Sequence, residues 1–270
     1  MKILVTGATG KVGSRLARRL ARRGDDVRVL VRRPPPLEGV EVVTGDLLDA
    51  ASLDAAVRGV DAVVHCAAFF RGATPEQAHA VNDDGTRNLA AAARAAGVKR
   101  FVFTSTGNVY GDRGGALTNE DGPCTPTAAY PVSKLAAERA LFAIEGLDVR
   151  VLRLPFVYGD GDPHIAEAVP MMRGFPPNKR MSLAHHADVA QAVERVLDGS
   201  PSHRIYNVCD DEAPDLATLF ASVGAAPPDG SNAALAHQFD VLMDGARLRE
   251  DLGFRPEVPR LRDAIARGIA

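Results

Sequence analysis

Residues 2–24 read KILVTGATGKVGSRLARRLARRG. Lys2 to Thr6 is a short apolar, β-branched run with the length of a buried strand. Glycines follow at Gly7, Gly10 and Gly13. Val12, Leu16 and Leu20 then recur at four-residue spacing, one face of a helix that Gly24 closes. A strand, a glycine turn and a helix in this order let backbone N–H groups and the positive end of the helix approach a pyrophosphate, which a Cβ would obstruct. The spacing is GxxGxxG rather than GxGxxG. Its place between strand and helix makes nucleotide binding a better reading than a tight turn alone.

Working outward, apolar runs predict further strands at 27–31, 41–44, 62–66, 100–104, 149–152 and 204–208. Between them lie predicted helices around 53–57, 75–96, 131–145 and 188–197, with short ones near 215–223, 244–252 and 260–268. The Pro34–Pro36 run stops regular structure after the second strand. Strands alternating with helices imply parallel βαβ units, and strands with few polar residues inside them fit a sheet covered on both faces. The expected fold class is α/β, a doubly wound parallel sheet. The rhythm breaks after Leu154, where Pro155, Pro163, Pro170, Pro176 and Pro177 alternate with Gly159, Gly161 and Gly174. Residues 155–183 therefore read as an irregular, loop-rich lobe. The expected division is a dinucleotide-binding domain of 1–154 plus 184–210, and a small substrate-binding lobe of 155–183 plus 211–270.

Composition narrows the function classes. The 270 residues carry 46% hydrophobic and 24% charged side chains, ordinary for a globular domain. A formal net charge of −2 offers no field for nucleic acid or an anionic membrane, so neither is expected as a partner. Cys66, Cys124 and Cys209 are far apart with no CxxC pair, which reads as buried thiols in a reducing compartment. No apolar run reaches the roughly 18–20 residues that span a bilayer. With a strand at the very start, the expectation is no signal peptide and a cytoplasmic protein.

Tyr130–Pro131–Val132–Ser133–Lys134 carries the second signal. Four-residue spacing on a helix puts the phenol and the ammonium on one face. A neighbouring cation is expected to lower the phenol pKa from about 10 toward working pH, so that Tyr130 exchanges a proton with a carbonyl or alcohol oxygen. The segment Thr104–Ser105–Thr106–Gly107–Asn108–Val109–Tyr110–Gly111 leaves a strand whose C-terminal edge carries hydroxyls, where ligands bind in a doubly wound sheet. His185, His186 and Asp188 are not read as a metal site, since adjacent histidines point different ways and Asp188 fits a helix N-terminus. Phe69 and Phe70 follow the fourth strand and read equally as packing or as a substrate wall.

Nearly the whole chain resembles the extended short-chain dehydrogenase/reductase family, also called the NAD-dependent epimerase/dehydratase family. The segments that carry the resemblance are TGATGKVG at Thr6–Gly13, Gly45–Asp46–Leu47, His65–Cys66–Ala67–Ala68, Val81–Asn82 with Gly85–Leu89, TSTGNVYG, and YPVSKLAAE. Arg153–Leu154–Pro155, Val157–Tyr158–Gly159, His185–Ala190 and Tyr206–Asn207–Val208 continue it. The resemblance implies a Rossmann-type domain and the following roles. Gly7, Thr9, Gly10, Lys11, Val12 and Gly13 form the cofactor turn. Asp46 and Leu47 lie on the adenine side, and Ala67 and Ala68 along the middle of the cofactor. Thr104, Pro155, Phe156 and Val157 complete its pocket, Pro155 and Phe156 toward the nicotinamide. Tyr130 is the acid/base, and Lys134 holds the nicotinamide ribose. Thr106, rather than its neighbour Ser105, presents a hydroxyl to the substrate oxygen, with Phe69 and Asn108 on the substrate side. Asn82 reads equally as a support of the cofactor site and as a polar residue interrupting its helix. A homodimer through the helices at 75–96 and 131–145 is implied as well.

An acid at the end of the second strand would favour NAD through the adenosine ribose. Arg32 and Arg33 stand there instead, and guanidinium groups suit a 2′-phosphate, so NADP is expected with NAD possible. Three functions fit: NADP(H)-dependent reduction of a small carbonyl compound, nucleotide-sugar epimerisation with bound NAD, and non-catalytic NADP sensing. The complete set of Thr106, Tyr130 and Lys134 argues against a sensor. Members that dehydrate sugar nucleotides carry an Asp-Glu pair after the hydroxyl residue, whereas this chain has Gly107 and Asn108.

Overall fold

The structure is a computed structural model, and it describes residues 1–33, 37–70, 72, 74–230 and 241–270. The Pro34–Pro36 breaker lies outside the described residues. Packing groups the chain into two units: Met1–Ser105, Ala128–Leu152 and Val196–Ile205 form the first, and Thr106–Thr127, Arg153–Arg195 and Tyr206–Ala270 the second. The expected substrate lobe of 155–183 and 211–270 falls within the second.

In the first unit β1 (Lys2–Thr6) leads into α1 (Lys11–Arg23), and β2 (Asp26–Val31) into β3 (Glu41–Thr44). After α2 (Ala50–Val57) and β4 (Ala62–His65) comes α3 (Pro75–His79). A π-helical segment over Ala80–Asp84 joins α3 to α4 (Gly85–Ala95). Strand β5 (Arg100–Thr106) hands its last residue to the second unit. There the chain makes a 3-10 turn (Gly107–Tyr110) and β6 (Leu117–Thr118) before returning to the first unit as α5 (Ala129–Phe142). Strand β7 (Asp148–Leu154) follows.

The strands β1, β2, β3, β4, β5, β7 and β10 (Ile205–Asn207) form one seven-stranded sheet in the order β10-β7-β5-β4-β1-β2-β3. Parallel registers run Ile3↔Val27 and Ile3↔Ala62, so β1 sits between β2 and β4. Chain order reverses beside β1, which makes the ends of β1 and β4 the crevice of a doubly wound sheet. Apart from the largely exposed edge strand β3, the strands are mostly buried. On one face Leu4, Val63, Phe101 and Val151 pack with Leu53, Leu89, Ala93 and Leu141 of α2, α4 and α5. This is the expected Rossmann-type arrangement.

The second unit holds β8 (Phe156–Tyr158), α6 (His164–Met172), β9 (Leu183–His185), most of α7 (His186–Asp198), α8 (Leu216–Ala221), β11 (Leu242–Met243), α9 (Ala246–Leu252) and α10 (Leu261–Ala266). The loop-rich expectation for 155–183 is corrected here: α6 is a helix despite Pro170. Its Ile165, Ala168, Val169 and Met172 make one buried stripe against Leu216, Leu219 and Phe220. Burial of that stripe outweighs the one backbone hydrogen bond the proline removes. The uninterrupted helix expected over 75–96 is also corrected. The π-helical segment adds a residue to the turn that carries Asn82 and Asp83, and both side chains are buried. No helix among the described residues is long and apolar enough to cross a membrane.

Candidate functional site

The glycine turn is built for close backbone approach. Gly7 has a φ of +72°, and a Cβ there would lie 2.6 Å from the Ala67 backbone nitrogen at the end of β4. A Cβ on Gly13 would collide with the Gly7 carbonyl oxygen. Gly10, the residue that opens α1, has no side chain to cap the helix, and the first turn holds no acid. The amides of that turn are thus left without a side-chain cap, the condition under which a helix N-terminus takes a phosphate. A cradle that any Cβ would fill, at the sheet crevice, fits the pyrophosphate of a dinucleotide. Thr9, Lys11 and Val12 lie on the same turn, exposed or half-buried.

The other expected cofactor positions in the first unit surround the crevice strands. Arg32 and Arg33 are exposed just past β2. Asp46 accepts from the Leu48 amide (2.9 Å), and the buried Leu47 has its carbonyl held by Asn88 (3.2 Å). Ala67 is half-buried and Ala68 exposed. The Thr104 hydroxyl donates to the His65 carbonyl (3.1 Å), tying β5 to β4.

A chain of buried hydrogen bonds, not visible in the sequence, organises this side of the unit. The Thr86 hydroxyl donates to the Asn82 carbonyl (2.7 Å), so it accepts from His65 Nε2–H (2.9 Å). His65 Nδ1 then accepts from the Thr6 hydroxyl (2.6 Å). Burial, reinforced by the positive charge of Lys134, pushes the His65 pKa well down, which agrees with this neutral tautomer. From the π-helical segment the Asn82 amide reaches in two directions. It accepts from Phe69 N (2.7 Å) and donates to Phe69 O (3.0 Å), and it also donates to Ser133 Oγ (3.0 Å). Ser133 in turn donates to the Tyr130 carbonyl (2.8 Å). Asn82 lies where the helix departs from α geometry, and its amide is linked through Ser133 to the backbone of Tyr130.

Tyr130 and Lys134 stand one turn apart on α5, as the spacing predicts. Lys134 is 1% exposed, with Nζ 3.8 Å from the centroid of the Phe103 ring. Burial pulls its pKa down to about 7, against the opposing pull of Cys66 and the carboxylate of Glu138. Glu138 is buried and accepts the Ser105 hydroxyl proton. That leaves the Ser105 hydroxyl engaged with a carboxylate inside the first unit. The expected depression of the Tyr130 pKa is not what this arrangement gives: burial pushes the phenol up to about 12. Partial removal from water disfavours the phenolate. The second aromatic after β4, rather than the first, meets Tyr130. The Phe70 ring lies 4.6 Å from the Tyr130 ring at 60°, while Phe69 is held through its backbone.

In the second unit Thr106 is buried, and its Oγ1 accepts from the Asn108 amide (3.2 Å). Half-buried Pro155 precedes Phe156, whose ring stacks on His164 at 4.0 Å, and buried Val157 pairs with Ala184. His186 Nε2 meets Asp162 at 2.9 Å in the interior, while His185 Nδ1 accepts from Ala187 N (3.1 Å) and so donates from Nε2 to Ile269 O (3.0 Å). Asp188 accepts from Glu257 N and Val258 N (2.5 and 3.2 Å). His185 and Asp188 thereby hold the C-terminal segment. Asn178, Arg180, Thr218, Arg260 and Arg262 line a cleft of about 450 Å³. Glu212 shares it and pairs with Arg262 (3.0 Å) and Arg260 (3.7 Å). Back in the first unit, His79, Asp83 and Asp84 come within reach of one cation, but Arg87 already binds Asp83 at 2.7 Å.

A glycine cradle at the crevice of a doubly wound sheet, with a Tyr–Lys pair on the helix before β7, defines a dinucleotide-dependent enzyme of the short-chain dehydrogenase type. The NAD dependent epimerase/dehydratase family matches residues 3–209, and the chain belongs to it. It is 36% identical to the ceramide reductase of Caulobacter vibrioides over 200 residues, 70% of this chain and 58% of that protein. Over 305 residues it is 30% identical to a 3-diazoavenalumate denitrifying reductase of Streptomyces, covering 99% of this chain and 100% of that one. The chain thus spans little more than half of the first relative and all of the second. Among solved structures, MoeE5 in complex with UDP-glucuronic acid and NAD matches with a TM-score of 0.84 at 28% identity, over 98% of this chain and 97% of that one.

Proposed function

We propose that this chain reduces a small carbonyl compound with NADP(H), Tyr130 giving the proton to the carbonyl oxygen. The observation that carries the reading is the half-buried Tyr130, one turn before Lys134 on α5 and in ring contact with Phe70; its phenol pKa is pushed up, so it stays protonated at neutral pH. That is the form carbonyl reduction requires, whereas alcohol oxidation begins from phenolate. When bound, the nicotinamide supplies the hydride that the carbon accepts. The chain's own residues position and protonate. Thr106 Oγ1 hydrogen-bonds the substrate oxygen, Tyr130 Oη gives it a proton, and Lys134 holds the ribose and supports the charge that develops on Tyr130. Asn82 and Ser133 hold the turn of α5 that carries Tyr130. Two relatives named as reductases, one of them matched end to end, support the same direction.

The preference for NADP rests on Arg32 and Arg33, exposed past β2 where a 2′-phosphate would lie. Calorimetric titration is expected to give tighter binding of NADPH than NADH. Arg32→Asp should reverse the order, a change of about 1–3 kcal/mol for a lost charged hydrogen bond. Equal affinities in the parent protein would overturn the assignment.

Epimerisation of a nucleotide sugar is the second reading, favoured by the likeness to MoeE5 with its UDP-glucuronic acid. Against it, Arg260 and Arg262 are already paired with Glu212. A panel of aldehydes, ketones and sugar lactones with NADPH, run beside UDP- and dTDP-sugars with NAD, separates the two. Saturable epimerisation without reductase activity would replace the first reading by the second. The chain is further proposed to act in the cytoplasm as a homodimer through α4 and α5, where Val132 is an exposed apolar position. Light scattering at micromolar concentration should return twice the 28.5 kDa chain mass, and a monomer mass would remove that proposal.

A further inference from the structure

We infer that Phe70 sets substrate choice, and that the compound taken carries a flat apolar or aromatic group next to its reacting carbonyl. This rests on the reading of Tyr130 as the acid/base. Phe70 is 47% exposed, yet its ring is seated on that of Tyr130, 4.6 Å away and tilted by 60°. Tilted rings at this distance are an attractive aromatic arrangement. The segment that delivers Phe70 is held in place. Both backbone groups of Phe69 are bonded to the Asn82 side chain, and the same amide reaches through Ser133 to the Tyr130 carbonyl. One buried residue therefore fixes the aromatic and the acid/base relative to each other. The run Ala67–Ala68–Phe69–Phe70 offers no polar side chain to a ligand approaching Tyr130 from this side. An aromatic ring that is 47% exposed and held against a proton donor gives a planar apolar group a surface to pack on, and gives a hydroxylated sugar ring no hydrogen-bond partner.

The test uses the intact protein with cofactor and two probes of equal ring size, acetophenone and cyclohexyl methyl ketone. Phe70→Ala is expected to lower the kcat/KM ratio of the phenyl over the cyclohexyl ketone by about three- to tenfold, the range of one aromatic contact, mainly through KM. Phe70→Tyr should restore the ratio. A ratio that Phe70→Ala leaves unchanged would overturn the inference. A parallel arm needs no turnover: saturation-transfer NMR of 1-phenylethanol and 1-cyclohexylethanol bound with oxidised cofactor. Preferential binding of the phenyl alcohol, lost in Phe70→Ala, supports the aromatic contact even if no ketone is reduced. No reduction of any carbonyl would instead count against the proposed reaction, so the two failures are told apart. Absence of any phenyl preference in the parent protein's NMR also overturns the inference.

Discussion

Tyr130→Phe is expected to lower turnover by about 10²-fold or more, the scale of a lost general acid. Cofactor affinity should stay close to that of the parent, because only the phenolic oxygen is removed. The ring remains to pack against Phe70, and Ser133 bonds to the backbone carbonyl of residue 130, which the substitution keeps. Folding stability is accordingly expected to change little. Steady-state kinetics on the best substrate of the panel, beside calorimetric cofactor titration, measure both quantities. Retention of parental turnover would show that another group moves the proton. Loss of cofactor binding together with turnover would point to a structural role for the hydroxyl.

Lys134→Met should stabilise the cofactor-free protein while abolishing its function, and the gain should depend on pH. Lys134 is fully enclosed, and burial lowers its pKa from 10.5 to about 7. Below about pH 7 the ammonium is charged in both folded and unfolded chains, and the whole cost of its burial is present. Between about 7 and 10.5 the unfolded chain binds more protons than the folded one, so parental stability rises with pH across that window. Methionine fills a similar linear volume without a charge. The stabilisation by Lys134→Met is thus expected to be largest near pH 6, on the order of 3–5 kcal/mol, and to shrink steadily toward pH 10. Loss of the contact with the Phe103 face offsets part of it. Urea unfolding at pH 6 and pH 9 checks the sign, and a gain that did not fall with pH would refute the account. A side chain that costs stability in the resting protein is the pattern expected of a functional group rather than a packing one.

The strand and helix pattern of the first unit was legible because it is local. A β-branched run followed by glycines and a four-residue apolar repeat leaves few alternatives, and β1, the glycine turn and α1 follow it closely. The YxxxK spacing likewise put Tyr130 and Lys134 on one face of α5 before any packing was known. Residues 155–183 were not legible, since proline density outweighs local signals there. Only the stripe from Ile165 to Met172, buried on α8, makes that stretch helical. The π-helical segment was hidden for a similar reason. Its alanines and polar residues suit an α-helix, and the extra residue is held by Asn82 and Thr86 bonding to partners far along the chain.

The sequence by itself determined the doubly wound sheet, the glycine turn and the placement of Tyr130 and Lys134 one turn apart on a helix, because each depends on residue type at fixed spacing. Tertiary structure alone decided the electrostatics of that pair. Spacing places an ammonium beside a phenol, but only the packing says that Lys134 is enclosed and Tyr130 half-buried. It then raises Tyr130 and lowers Lys134, the opposite of the mutual stabilisation that spacing suggests. The fold also chose between adjacent phenylalanines. The Asn82 amide takes the backbone of Phe69 and leaves the ring of Phe70 on Tyr130, a selection set by hydrogen bonds between residues thirteen and fifty-one positions apart.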